Sequence, residues 1–230
     1  MSTTPLVTTL FRAQTGVGIV ADDVSATSPL ANVEPNMASS TFTVIAGGVA
    51  YLSVTTTTGD NSISVQASGG ANIVITAYDA NGNIATDYTG TKSLTFSGPT
   101  SSPDGNIPQV NATPMETARN VTFTAGVSSD ALSLSVYNME TTALDVRDAT
   151  FNSFGNIAYD LDLEVSAGSA NKLKFSIPPP SSVGAGAVWP SFAVAIYDTY
   201  GNPRNTGADS ITVTEDHPTV NFLGTATKPA

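Results

Sequence analysis

Apolar and polar residues alternate in short runs along the chain, most clearly from Ile73 to Phe96. Ile73, Ile75 and Ala77 alternate with Val74, Thr76 and Tyr78, the period of a pleated strand. Asp79-Ala80-Asn81-Gly82-Asn83 breaks the run. Gly and Asn accept positive φ at little cost, and Asp can bond the backbone two residues on, so a turn is predicted. A second strand follows, with Leu94 and Phe96 on one face and Ser93, Thr95 and Ser97 on the other. The same strand–turn–strand recurs from Phe192 to Pro203 and on into Ser210-Ile-Thr-Val-Thr. Tyr78 matches Tyr197, Asp79 matches Asp198, and Gly82-Asn83 matches Gly201-Asn202.

The repeat sets the organisation. Val44–Val54 aligns without a gap to Val165–Phe175 at an offset of 121 (165 − 44), and the turns repeat at 119 (198 − 79). Three pieces are expected: 1–45, a partial unit or donor-strand segment; 46–166, a complete unit; and 167–230, a partial second unit. The first piece is expected to supply late strands and the last piece early ones. In it, Val7–Phe11 and Val17–Val20 resemble Val121–Ala125 and Leu132–Val136. Within the complete unit, alternation predicts strands near 50–55, 62–66, 71–78, 92–97, 120–125, 131–137 and 159–166. No segment sustains a helical period with caps. The expected fold is all-β, an antiparallel Ig-like β-sandwich with partial units at both ends. The connection from Gly98 to Arg119 carries four prolines (Pro99, Pro103, Pro108 and Pro114) and reads as mobile or functional. Ile177-Pro178-Pro179-Pro180 marks an edge, because proline cannot donate to a ladder.

Composition narrows the partners. Only 12% of the 230 residues are charged and 40% are hydrophobic, which suits a weakly charged β surface rather than disorder. Eight basic residues against 19 acidic ones give a net charge of −11. That disfavours nucleic acid and repels an anionic membrane. Cysteine is absent, so disulfides, thiolate metal sites and cysteine nucleophiles are excluded. No run reaches the ~20 apolar residues of a membrane helix, so no membrane insertion is expected. The N-terminal stretch, Met1 to Gly16, lacks a basic start and a long apolar region, so it is not expected to be a secretory signal.

The segment Ala167-Gly168-Ser169-Ala170 leading to Leu173 and Phe175, followed by Tyr197-Asp198 and Gly201-Asn202, resembles bacterial Ig-like repeats. So do Ala46-Gly47, Tyr78-Asp79, Gly82-Asn83 and Tyr88-Thr89-Gly90-Thr91. Such repeats belong to intimin- and invasin-type surface proteins. The resemblance covers 46–96 and 167–214. It implies an extracellular or cell-surface location and a role as spacer, adhesive tip or lattice subunit; fold alone does not choose among these.

Asp79, Asn81, Asn83 and Asp87 place oxygen side chains in one loop, and Asp198, Asn202, Asn205 and Asp209 do so in the repeat. Calcium, a hard cation, takes such oxygen ligands, but the spacing is not that of an EF-hand. A hydrogen-bonded turn is the other reading. Asp160, Asp162 and Glu164 fall on one strand face, either solvated or gathered round a cation. His217, beside Glu215 and Asp216, reads as a loop histidine before Pro218. Trp189 and the apolar residues Val7, Leu10, Phe11, Val17 and Ile19 are the interface candidates. Asn111 and Asn120 sit in glycosylation-type triplets. No nucleophile elbow, metalloprotease helix, P-loop or dinucleotide fingerprint is present, and a non-catalytic protein is expected. The expected function is a surface filament or lattice subunit, associating with itself head to tail through strand complementation. A glycan- or receptor-binding adhesin module and a phage virion decoration protein are the alternatives.

Overall fold

The computed structural model describes residues 7–21, 37–38, 40–154, 158–204, 210–214 and 227–229. Among them there is no helix. Four short strands come first: β1 (Gln14–Val17), β2 (Val20–Ala21), β3 (Met37–Ala38) and β4 (Phe42–Val44). β1 pairs antiparallel with β4, and β2 with β3.

The next eleven strands form one connected sheet system. They are β5 (Val49–Thr56), β6 (Ser62–Gln66), β7 (Asn72–Asp79), β8 (Gly90–Ser97), β9 (Gln109–Val110) and β10 (Thr113–Pro114). After these come β11 (Arg119–Thr124), β12 (Val127–Ser128), β13 (Leu132–Ser135), β14 (Glu140–Arg147) and β15 (Leu161–Ser166). β7 holds the centre, with β5 on one side and β12 and β13 on the other. β8 changes layer along its length. Gly90–Leu94 pairs with β11, and Thr95–Ser97 pairs with β14. The second layer continues through the β14–β15 hairpin to β6, which lies parallel to β15.

Alternation decides what faces inward. Ile73, Ile75 and Ala77 of β7 are buried, as are Leu161, Leu163 and Val165 of β15. They close on Leu52, Val54, Leu94, Leu144 and Val146 in a single core, giving an all-β sandwich. The outer edge of β5 is bonded too: Leu52 N–H donates to Asn152 C=O (3.1 Å) and Val54 N–H to Tyr159 C=O (2.8 Å).

Two sequence expectations need correction. β14 is missing from the strands that alternation predicts. Only Leu144 and Val146 of its eight residues are fully buried, and Thr, Glu, Asp and Arg fill most other positions, so its alternation is weak. The N-terminal piece also aligns differently. Gln14 lies opposite Val44 as Glu140 lies opposite Val165, and, past a bulge that gives β1 one extra residue, Val17 lies opposite Phe42 as Thr142 lies opposite Leu163. β1 and β4 therefore correspond to β14 and β15, the last hairpin of a unit, and not to residues 121–136.

The chain after β15 begins the pattern again. β16 (Lys172–Ile177) pairs with β17 (Ala193–Tyr197), Leu173 opposite Ile196 as Leu52 is opposite Ala77. β18 (Ser210–Thr212) pairs with β19 (Thr227–Pro229).

Candidate functional site

Each Asp-x-x-Gly-Asn turn closes on its aspartate. Asp79 Oδ1 accepts from the N–H groups of Asn81 (2.8 Å) and Asn83 (2.9 Å). Its Oδ2 accepts from Gly47 N–H (2.8 Å) and Asn83 Nδ2 (2.9 Å). In the repeat, Asp198 Oδ1 accepts from Tyr200 (2.8 Å) and Asn202 (2.9 Å) N–H, and Oδ2 from Gly168 N–H and Asn202 Nδ2, both at 2.8 Å. Two acceptor sites per oxygen are filled by two donors each. Hydrogen bonds from Asn83 first, then from backbone amides, hold the Asp79 carboxyl down at about 2 despite its burial. Burial works to raise Asp198, but bonds from Asn202, Gly168 and Tyr200 outweigh it and keep that carboxyl below its usual range. Gly82 and Gly201 stand at φ of 79° and 88°, where a side chain is strained.

The asparagines reach outward, and both reach for main chain. Asn83 Oδ1 accepts from Ala13 N–H (2.8 Å), and its Nδ2 donates to Phe11 C=O (2.7 Å). Asn202 Oδ1 accepts from Met139 N–H (2.9 Å), and its Nδ2 donates to Tyr137 C=O (2.8 Å). The turns thus hold equivalent partners: the residues just ahead of β1 in one case and of β14 in the other.

The predicted ligand set does not gather round an opening. Asn81 and Asp87 are exposed, and neither side chain bonds to Asp79. Asn205 and Asp209 lie outside the described residues. Among the described residues no three acidic or histidine side chains converge as a metal site would require. The N–H donors around Asp79 and Asp198 occupy the lone pairs a cation would need.

The second feature is an uncovered apolar strip. Leu173, Phe175 and Ile177 are 57%, 54% and 54% exposed, whereas their counterparts Leu52 and Val54 are fully buried and Thr56 nearly so. Among the described residues β16 pairs with β17 alone. The ring of Phe175 meets Phe192 edge-on at 5.9 Å, and Trp189 tilts against Phe192 at 5.6 Å, extending the strip. By the sequence offset of 121, residues 183–187 correspond to β6 of the first unit, yet they form no strand and are exposed. β6 exists by pairing with β15.

No protein-family model and no curated protein matches the sequence. Among solved structures, the chain is similar to domains 4–9 of surface layer protein SbsC over 81% of its length (15% identity, TM-score 0.32). It is also similar to InvD of Yersinia pseudotuberculosis over 71% of its length (19% identity, TM-score 0.39). The matches span 26% of the SbsC fragment and 46% of InvD. Likeness at this level assigns neither function nor partner.

The other predicted residues separate. Val7, Leu10, Phe11 and Ile19 are exposed and Val17 is half-buried. Asp162 and Glu164 face solvent, and Ser64 Oγ donates to Glu164 (2.9 Å). Asp160 departs from them: it is 6% exposed, and one of its oxygens has no hydrogen-bond partner. Burial, then the neighbouring Asp160, pushes the Asp145 carboxyl up to about 6. His217, Glu215 and Asp216 lie outside the described residues. Sequence reading missed Asp104, whose carboxylate meets the Nζ groups of Lys172 and Lys174 across the two units.

Proposed function

We propose that this chain is a non-catalytic, extracellular structural protein whose units are completed between copies, giving a surface filament or lattice. One observation carries the reading. The chain holds a hairpin, β1–β4, in the register of β14–β15. It also holds a unit, from β16 onward, whose strip Leu173–Phe175–Ile177 is bare where β14–β15 would cover it.

The energetics favour occupation. Covering three half-exposed side chains of this size contributes about 1 kcal/mol each. Pairing the free edge of β16 adds main-chain bonds, the usual mode of strand addition. A hairpin ahead of the first unit and an acceptor behind it make a contact between copies that is head to tail, which need not close and so propagates.

Mass determination on the full chain and on a version lacking residues 1–45 tests this. Polymer from the full chain only is expected. Polymer from both, or monomer from both, contradicts it.

A further inference from the structure

Successive units meet through two kinds of contact, and the two kinds read different things. The first is the asparagine clamp. Across the joint, the hydrogen bonds of the Asn202 side chain go to the C=O of Tyr137 and come from the N–H of Met139, and those of Asn83 go to and come from the same groups of Phe11 and Ala13. The side chains at the gripped positions are Phe and Ala in one joint and Tyr and Met in the other, and the asparagines bond to none of them. A contact made wholly to main chain carries no information about which unit precedes.

Among the described residues the second contact occurs at one joint. The loop at Ser102–Asn106 extends from the first unit onto the second. Asp104 N–H donates to Tyr200 C=O (3.0 Å), and the Asp104 carboxylate pairs with Lys172 and, at 3.3 Å, with Lys174. Lys172 Nζ also donates to Thr199 C=O (3.2 Å). The loop packs so closely on the Asp198–Asn202 turn that a Cβ at Gly201 would lie 2.5 Å from Asp104 Oδ1 and 3.2 Å from Pro103 Cβ. The tilted rings of Tyr137 and Tyr200, 5.1 Å apart, fill the space beside it. In the first unit the positions of Lys172 and Lys174 are held by Tyr51 and Ser53, at the same offset of 121, and neither carries a positive charge. A Cβ at Gly82 would have only the Tyr51 hydroxyl near it, at 3.9 Å.

We propose that the joint between the first and second units is a two-part coupling. A main-chain clamp at Asn202 accepts any unit of this fold, and an ionic strap from Asp104 to Lys172 and Lys174 selects this neighbour and fixes its angle. The occupant of the second unit's strap face is thus the Pro103–Asp104 loop of a preceding unit. At the first unit's equivalent positions Tyr51 and Ser53 offer no cation to receive such a loop. The coupling is an intrachain matter and stands whether or not copies assemble. The strap is part-exposed, so salt weakens it, whereas the clamp's neutral bonds are far less sensitive to salt.

The absence of cysteine allows a clean test, since Thr122→Cys and Ser191→Cys provide two unique label sites, one on each unit. Spin-label distances are read on the full chain diluted with excess unlabelled protein, so that only distances within one molecule count. A narrow distance peak is expected at low salt. Asp104→Asn and high salt each broaden it, and the charge swap Asp104→Lys with Lys172→Asp and Lys174→Asp restores it. Asn202→Asp, which cannot donate to Tyr137 and sets a second carboxylate against Asp198, broadens it further. Asn83→Asp leaves it unchanged. The swap alters no turn residue, so it reads the strap even if Asn202→Asp disturbs folding. A peak indifferent to Asp104→Asn and to salt, or a swap that fails to restore it, overturns the proposal.

Discussion

Asn83 and Asn202 each use both amide hydrogens and the amide oxygen, one hydrogen to close their own turn and the other hydrogen with the oxygen to grip another segment. Asn83→Ala therefore removes three bonds and leaves an Asp79 acceptor short of a donor. A loss of about 2 kcal/mol in the first unit is expected from chemical denaturation. The pH dependence follows from the carboxyls. Asp79 folds with its carboxyl near 2, below the roughly 4 of an unfolded aspartate. Its contribution is therefore complete above about pH 4 and is lost as pH falls toward 2. Asp145 has the opposite sign. Its folded value near 6 lies above the unfolded one, so the folded state binds the extra proton and stability declines as pH rises from about 4 to 6. Asp145→Asn should raise stability at pH 7 by about 1 kcal/mol, solvent screening having reduced the nominal effect, and should flatten that slope. A variant less stable at pH 7 than the parent would contradict the assignment. Added calcium is expected to leave the melting temperature unmoved by way of Asp79; a rise that Asp79→Asn abolishes would contradict the saturated-acceptor picture.

At the level of elements, the two copies of one strand make opposite predictions. Leu52 is fully buried beneath the hairpin β14–β15, so Leu52→Ala should cost about 2–5 kcal/mol. Its counterpart Leu173 lies open, so Leu173→Ala in a monomeric sample should cost under about 1 kcal/mol, measured by denaturant titration of each variant. The strands around β7 were legible because Ile73, Ile75 and Ala77 keep strict alternation, and the turns because Asp, Gly and Asn recur at one spacing. β14 was not legible, since two buried aliphatics in eight residues give little periodicity. The clamp's partners were equally hidden. Asn83 and Asn202 bind carbonyls and amides that every residue possesses, so no side chain at Phe11–Ala13 or Tyr137–Met139 signals the contact. The strap joins Asp104 to lysines 68 and 70 positions away, beyond the reach of any local pattern. Trp189 could be singled out as the sole tryptophan, but its place beside Phe192 and Phe175 depends on how β16 and β17 pair.

Across the whole molecule, the first unit has its covering hairpin in the chain and the second has none among the described residues. The β1–β4 hairpin stands in the register that would serve it. Phe175→Asp should abolish polymer while leaving the first unit's melting transition in place, because Phe175 lies outside that unit's core. The most direct measurement is amide hydrogen exchange on the full chain over a series of concentrations. Completion between copies predicts that the amides of Leu173 and Phe175 become protected as concentration rises, while those of Leu52 and Val54, already bonded to Asn152 and Tyr159, stay equally slow throughout. Exchange at Leu173 and Phe175 that does not change with concentration, in a range where the protein sediments as a polymer or remains a monomer, would contradict it.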